Sequence, residues 1–188
     1  MAVDARAAYT LRLAERRRRA AALADAERRI GTARLAIFAA GLVIAWFAFG
    51  PGLLPGWSVA LPVAAFAALI VRHASVIPAR RAADRAVAFY ERGLARLDDA
   101  WAGGGVAGER YLDARHPYAG DLDLFGPGSL FELLCTARTR AGQDTLADWL
   151  LAPAPPDEVR ARQAAVAALR PRLDLREDLA VLGDAVGD

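Results

Sequence analysis

Lysine is absent from this sequence, and all 24 basic residues are arginine. A P-loop needs a lysine to hold nucleotide phosphates, and a Schiff-base enzyme needs a lysine amine, so neither site can be built from these 188 residues. Two histidines and a single cysteine are too few for a Cys/His zinc cluster or a framework of disulfide bonds. Charged residues are also absent from 35–71, and this long uncharged stretch is the main indication of the kind of protein that the sequence encodes.

The charges that are present are distributed unevenly along the chain. Residues 1–34 contain nine arginines and four acids, a net charge of +5, and residues 72–92 carry a net charge of +3. Residues 93–188 carry a net charge of −6. The total of +2 therefore hides an uncharged stretch between two basic flanks, followed by an acidic region.

The uncharged stretch 35–71 predicts a two-helix membrane hairpin. Its arms, 35–50 and 57–71, are almost entirely apolar, and the turn at 51–56 is rich in proline and glycine. Flanking residues extend each arm toward the roughly 17 to 25 residues of a spanning helix. The predicted anchor residues are Leu35, Phe38, Trp46, Phe49, Trp57, Phe66 and Val71. A buried hairpin in a soluble protein is the alternative, but such helices normally keep a polar stripe that these arms lack.

The arginine-rich flanks predict the orientation of the hairpin. The positive-inside rule places both flanks and both termini in the cytoplasm, at the inner or plasma membrane of a bacterium. Residues 1–34 are predicted to form a basic cytoplasmic helix. Residues 72–102 are predicted to form a stalk segment, whose helix starts after Pro78 and pairs with the N-terminal helix. The Arg16–Arg19 run has three interpretations: contact with lipid headgroups, contact with nucleic-acid phosphates, or a solvated face that only sets topology.

Residues 129–188 predict an all-helical unit of three or four helices after a linker at 103–128. Ser129, followed three residues later by Glu132, forms a capping-box pattern at a helix start. Further apolar residues recur at helical spacing, and we expect them to face inward. These inward residues are Leu130, Leu133, Leu134, Leu146, Trp149, Val166 and Leu169. The fold class predicted for the whole chain is therefore all-α.

Neither His116 nor Cys135 belongs to a recognised catalytic or metal-binding pattern. We expect His116 to lie at the surface or to pack within its loop, and Cys135 to be a core residue of an apolar run rather than a nucleophile. No catalytic, cofactor-binding or metal-ligating residue is predicted in this chain.

The C-terminal region carries several landmarks in order: GSLFELL at 128–134, TRAG at 139–142, LADWLLAP at 146–153 and RQAAV at 162–166. In this order and spacing they resemble the start of the helical core, or lever, domain of the MutS family. The resemblance rests on Ser129, Leu130, Leu133, Thr139, Arg140, Gly142, Leu146, Trp149, Arg162, Gln163 and Val166. The preceding apolar hairpin resembles the membrane-associated branch of MutS-like proteins, which carry transmembrane helices in place of the mismatch-recognition and connector domains.

The resemblance implies a role in a larger molecule. MutS-like proteins bind DNA, use ATP with magnesium, and form homodimers through a C-terminal ATPase domain. That domain's lysine-containing motif cannot lie in this chain, so we expect an N-terminal fragment whose ATPase lies downstream. Phe89-Tyr90-Glu91 matches the family's Phe-x-Glu mismatch motif, but its place in an arginine-rich helix favours a stalk. The alternative function is a non-enzymatic membrane adaptor whose acidic helical domain binds a protein partner.

Overall fold

The computed structural model describes residues 4–186, and all secondary structure in that range is helical, which confirms the predicted all-α class. Two long helices come first and four shorter helices follow them. The helices are α1 (Ala5–Phe49), α2 (Ala60–Leu97), α3 (Leu130–Leu134), α4 (Arg140–Leu151), α5 (Pro156–Leu169) and α6 (Leu173–Val186). Short 3₁₀ turns occupy Gly56–Val59 and Glu109–Tyr111.

Each long helix joins an apolar arm to its charged flank without a break. Helix α2 passes through Pro78, although the sequence predicted a helix start after this residue. A proline in a helix interior removes one backbone hydrogen bond, and here the turns on both sides continue the helix. Helix α2 ends at Leu97, within the predicted stalk segment 72–102, because Asp99 adopts the left-handed conformation, with φ of 55°, that terminates helices.

The chain divides into two units. The hairpin unit comprises Glu15–Asp84, which includes the turn between α1 and α2. The C-terminal unit comprises the described residues before 15 together with those from Arg85 onward. It therefore holds the first turns of α1, the end of α2 and all four short helices.

The core of the C-terminal unit forms around Phe131, which is fully buried. Leu124 and Phe125 pack with it, and the rings of Phe125 and Phe131 lie 5.5 Å apart between centroids. Ala147 of α4 completes this cluster. The segment 103–128, predicted as a linker, thus supplies part of the core.

Candidate functional site: the apolar hairpin and the C-terminal helical unit

The apolar side chains of the hairpin face outward. The two helices, Ala5–Phe49 and the segment Gly56–Leu97, are long and apolar enough to cross a membrane, and none of their most apolar stretch is buried. Most of the predicted anchor residues are largely exposed, and Phe66 is half-buried. The exposed fractions are 70% for Leu35, 56% for Phe38, 71% for Trp46, 74% for Phe49, 76% for Trp57 and 72% for Val71. The alternative of a buried core hairpin does not describe this arrangement within the chain.

Small residues let the two arms approach each other closely. A Cβ atom placed on Gly41 would lie 3.4 Å from Cβ of the buried Pro62, which is van der Waals contact. Near the turn, a Cβ atom on Gly56 would lie 3.7 Å from the ring of Phe49. Gly41 and Pro62 thus form one close contact between the arms, while most of the large apolar side chains remain exposed.

An ion pair joins the two helices outside the apolar stretch. Arg80 on α2 donates to Glu27 on α1 over 2.5 Å and lies 3.6 Å from Asp84 on its own helix. The hydrogen bond from Arg80 lowers the pKa of Glu27, and the same bond raises the pKa of Arg80. Because both side chains are partly exposed, solvent screens this pair, and it contributes little to stability.

Arg96, near the end of α2, holds the short helix α3. Its Nε donates to the carbonyl oxygen of Leu133 over 2.9 Å, and a terminal guanidinium nitrogen donates to that of Cys135 over 3.3 Å. These carbonyls belong to the end of a helix, where no helical N–H is left to bond them. Burial lowers the pKa of Arg96 and also raises the pKa of the Cys135 thiol, which makes that thiol a poor nucleophile.

Helix α6 is joined to the long helices through a buried hydrogen bond. The hydroxyl of Tyr90, which is fully buried, donates to Glu177 over 2.5 Å. Arg176 donates to the hydroxyl of Tyr9 over 2.9 Å, and the rings of Tyr9 and Tyr90 meet edge to face at 5.6 Å. The centre of the Phe89-Tyr90-Glu91 tripeptide therefore serves helix docking.

The N-terminus of α3 shows half of the predicted capping box. The Ser129 hydroxyl accepts from the N–H of Glu132 over 3.3 Å, as predicted. The Glu132 carboxylate does not return to Ser129. Instead it accepts from the N–H of Gly128 over 2.7 Å and from that of Gly105 over 2.9 Å. These backbone bonds, that of Gly128 first, lower the pKa of Glu132 and tie the 103–128 segment to α3.

A side-chain cap forms the turn between α3 and α4. Thr139 is the N-cap of α4 and accepts from the N–H of Gly142 over 3.3 Å. A Cβ atom on Gly142 would approach Cβ of Ala137 to 3.0 Å, so a larger residue would crowd this turn. Arg140, the first residue of α4, is exposed, and Leu146 is half-buried against the core.

The loop before α3 caps the far end of α4. A ring nitrogen of His116, Nε2, lies 3.0 Å from the carbonyl oxygen of Leu151, and the Tyr118 hydroxyl donates to the same oxygen over 2.7 Å. The two rings meet edge to face at 4.4 Å. His116 thus packs within its loop, as predicted, and also reaches a helix terminus.

Several residues predicted to face inward do not do so. In α3 the buried residues are Phe131 and Glu132, while Leu130 and Leu134 are 38% and 48% exposed. A five-residue helix has room for one inward face, and the bulkier Phe131 occupies it. Leu133 is half-buried.

The inward prediction also fails in α4 and α5. Trp149 is 49% exposed, and its ring is covered on one face by Arg162, whose guanidinium carbon lies 4.0 Å from the ring centroid. Val166 is 67% exposed and Gln163 is exposed as well. The spacing of these residues is helical, but the described residues supply no element that covers this side of α5.

Sequence patterns placed Tyr90 in a helix but predicted none of the contacts that Arg96, Tyr90 and Glu177 make. Each of their contacts joins segments far apart in sequence, such as Tyr90 with Glu177, 87 positions away. A single charged residue in an apolar helical pattern was the available signal, and such residues are common on solvated faces. Among the described residues, no group of three or more His, Cys, Asp or Glu side chains is placed to hold a metal ion.

Comparison with protein-family models, with curated proteins and with solved structures finds no match to this chain.

Proposed function

We propose that this chain is the membrane-anchoring N-terminal part of a MutS-like protein, with both termini in the cytoplasm of a bacterium. The hairpin fixes the molecule in the inner membrane. The C-terminal unit is the start of a lever domain that transmits ATP-driven motion toward a DNA- or partner-binding region. DNA contact, ATP with magnesium and the homodimer contact belong to other segments of the full-length protein.

The anchor is supported by a single observation, the outward-facing apolar surface of the hairpin. Residues such as Trp46, Trp57 and Val71 are more than 70% exposed on helices long enough to span a bilayer. A soluble protein rarely exposes a continuous apolar surface of this kind, because water around it is unfavourable. Lipid tails would cover it, and the flanking arginines would remain at the headgroups.

The MutS-like assignment is supported by the landmarks that carry the resemblance. Two of them, Ser129 and Thr139, cap α3 and α4, and the prolines after Leu151 separate α4 from α5. Two of the landmarks therefore mark helix starts, and most of the others lie within α3, α4 and α5.

Alkaline carbonate extraction tests the anchor. Membranes from cells that express the chain are washed at high pH, and the pellet is compared with that of Ala39→Arg plus Ala67→Arg. Both alanines are exposed in the apolar arms, so the variant adds charge without disturbing packing. The matched control, Ala21→Arg plus Ala22→Arg, adds the same charge to exposed positions outside the arms.

We expect the native chain and the control to remain in the pellet and the hairpin variant to be released. Release of the native chain would overturn the anchor. It would favour an oligomer in which a second copy covers the hairpin.

The second candidate function, a non-enzymatic membrane adaptor, is favoured by the net charge of −6 over residues 93–188. The two candidates differ in what the gene encodes after codon 188. A G-x-x-x-x-G-K-[ST] motif that follows a predicted strand would support the MutS-like protein. An open reading frame without this motif would contradict it and leave the adaptor.

A further inference from the structure

An open groove lies where the first apolar arm meets its last arginine. It has a volume of about 250 Å³ and is lined by Gly31, Arg34, Leu35, Phe38 and Phe66. All five residues belong to the hairpin unit, and both long helices contribute to the lining. No charged residue follows Arg34 until Arg72, so the groove marks the edge of the apolar stretch.

Arg34 supplies the cation of this groove. Its guanidinium carbon lies 5.2 Å from the centroid of the Phe66 ring, which positions the group over the second arm. Among residues 4–186, Arg34 forms no ion pair with a carboxylate. The nearby acid Glu27 pairs with Arg80 instead. The positive charge of Arg34 is therefore available to an anion from outside the chain.

Gly31 and the apolar residues give the groove its shape. A Cβ atom on Gly31 would have no neighbour within 4 Å, so the absence of a side chain leaves open space one helical turn before Arg34. Leu35 and Phe38 are 70% and 56% exposed and extend the wall toward the apolar arm. The groove thus joins a cationic end to an apolar wall.

We propose that this groove binds one anionic phospholipid, with its phosphate on Arg34 and an acyl chain along Leu35 and Phe38. The proposal rests on the proposed membrane anchor. A guanidinium offers paired N–H donors that match a phosphate group, and the apolar wall favours a ligand that has a hydrocarbon chain. Charge complementarity and the two-part lining both select this class of ligand.

Native mass spectrometry of the full chain in detergent micelles tests the proposal, with phosphatidylglycerol as the probe. We expect the native chain to retain one phosphatidylglycerol in preference to phosphatidylcholine. Arg34→Gln should reduce this retention about fivefold, the effect of the roughly 1 kcal/mol that a cation contributes near anionic headgroups. Gly31→Leu should reduce it as well, because the new side chain fills the groove while every charge is kept.

Two control variants separate the groove from general charge attraction. Arg29→Gln removes the same charge from an exposed position on the same helix, and Thr32→Leu adds a similar side chain to the exposed residue beside Gly31. Both should retain the lipid as the native chain does. Equal losses in Arg34→Gln and Arg29→Gln would overturn the proposal, as would equal binding of glycerol phosphate, which has no acyl chain.

Failure of the groove can be distinguished from failure of the anchor. If the native chain resists carbonate extraction and the groove variants still retain lipid, the groove proposal alone is wrong. If the native chain is released by carbonate, the anchor is wrong and the groove proposal is overturned with it. Circular dichroism of each variant checks that helix content is unchanged.

Discussion

The carboxylate of Glu132 is expected to hold the 103–128 segment onto α3. It accepts two backbone hydrogen bonds, from Gly128 over 2.7 Å and from Gly105 over 2.9 Å, and it is only 3% exposed. Hydrogen bonds to charged groups contribute about 1.5–3 kcal/mol each. In Glu132→Gln one carboxylate oxygen becomes an NH₂ group, which cannot accept, so one of the two bonds is lost.

The expected cost of Glu132→Gln is therefore about 1.5–3 kcal/mol of local stability. Hydrogen exchange followed by mass spectrometry, on the full chain in micelles, measures it in the peptides that cover 103–132. A loss of about 1.4 kcal/mol corresponds to a tenfold faster exchange, so we expect these peptides to exchange about ten- to a hundredfold faster in Glu132→Gln than in the native chain. Glu109→Gln, at an exposed position in the same loop, is the matched control. Equal exchange in both variants would refute this account of Glu132.

Because the Glu132 carboxylate is hydrogen-bonded, the local stability of residues 103–132 should decrease as the pH falls. The backbone N–H groups of Gly128 and Gly105 lower the pKa of Glu132 in the folded state, relative to about 4.3 for an unperturbed glutamate. Its contribution is fully present above the unfolded value and is lost as the pH falls through the lower, folded value. The difference in exchange between native chain and Glu132→Gln should therefore persist at neutral pH and disappear in acid. A difference that grows as the pH falls below 4.3 would contradict the sign.

Three further predictions concern unfolding of the C-terminal unit in urea, measured in micelles. Gly108→Ala should cost about 2–4 kcal/mol, because φ is +70° and the new Cβ atom would lie 2.6 Å from the Phe131 ring; an unchanged midpoint would refute the close approach. Tyr90→Phe should cost about 1–3 kcal/mol of unfolding free energy, since the buried Glu177 carboxylate loses a hydrogen-bond donor. In this variant the amide hydrogens of α6 should also exchange with solvent faster than those of α4. Arg96→Met should cost about 1–3 kcal/mol by removing the donors to two carbonyls at the end of α3, and equal stability would show that water replaces them.

The hairpin was predictable because its signals are local. An uncharged stretch between arginine-rich flanks indicates two apolar helices without any knowledge of the rest of the chain. The N-cap Ser129 was also predictable, since it bonds to an N–H group three residues away. Thr139 makes the same kind of bond to Gly142 but was not predicted as a cap. The all-α class follows from the same local patterns.

The landmarks of the C-terminal region predicted where helices begin and end but not which side chains are buried. Leu130 and Val166 have helical spacing, yet both are exposed, while Phe131 between two of the predicted residues is fully buried. The spacing of apolar residues identifies the buried face of a helix only when the helix is long and the elements packed against it are known. Helix α3 has five residues, so its inward face is set by the packing of Leu124 and Phe125.

The sequence by itself determined the two apolar arms, their basic flanks and the Ser129 cap of α3, because each depends on residues within a few positions of one another. Only the tertiary structure decided the partner of Glu132, which bonds to Gly105 27 positions away, and the link from Tyr90 to Glu177, 87 positions away. It also placed Arg34 over Phe66, which creates the proposed lipid groove. Contacts of this kind form between segments that are far apart in sequence, and the local spacing of residues does not show which distant segments will pack together.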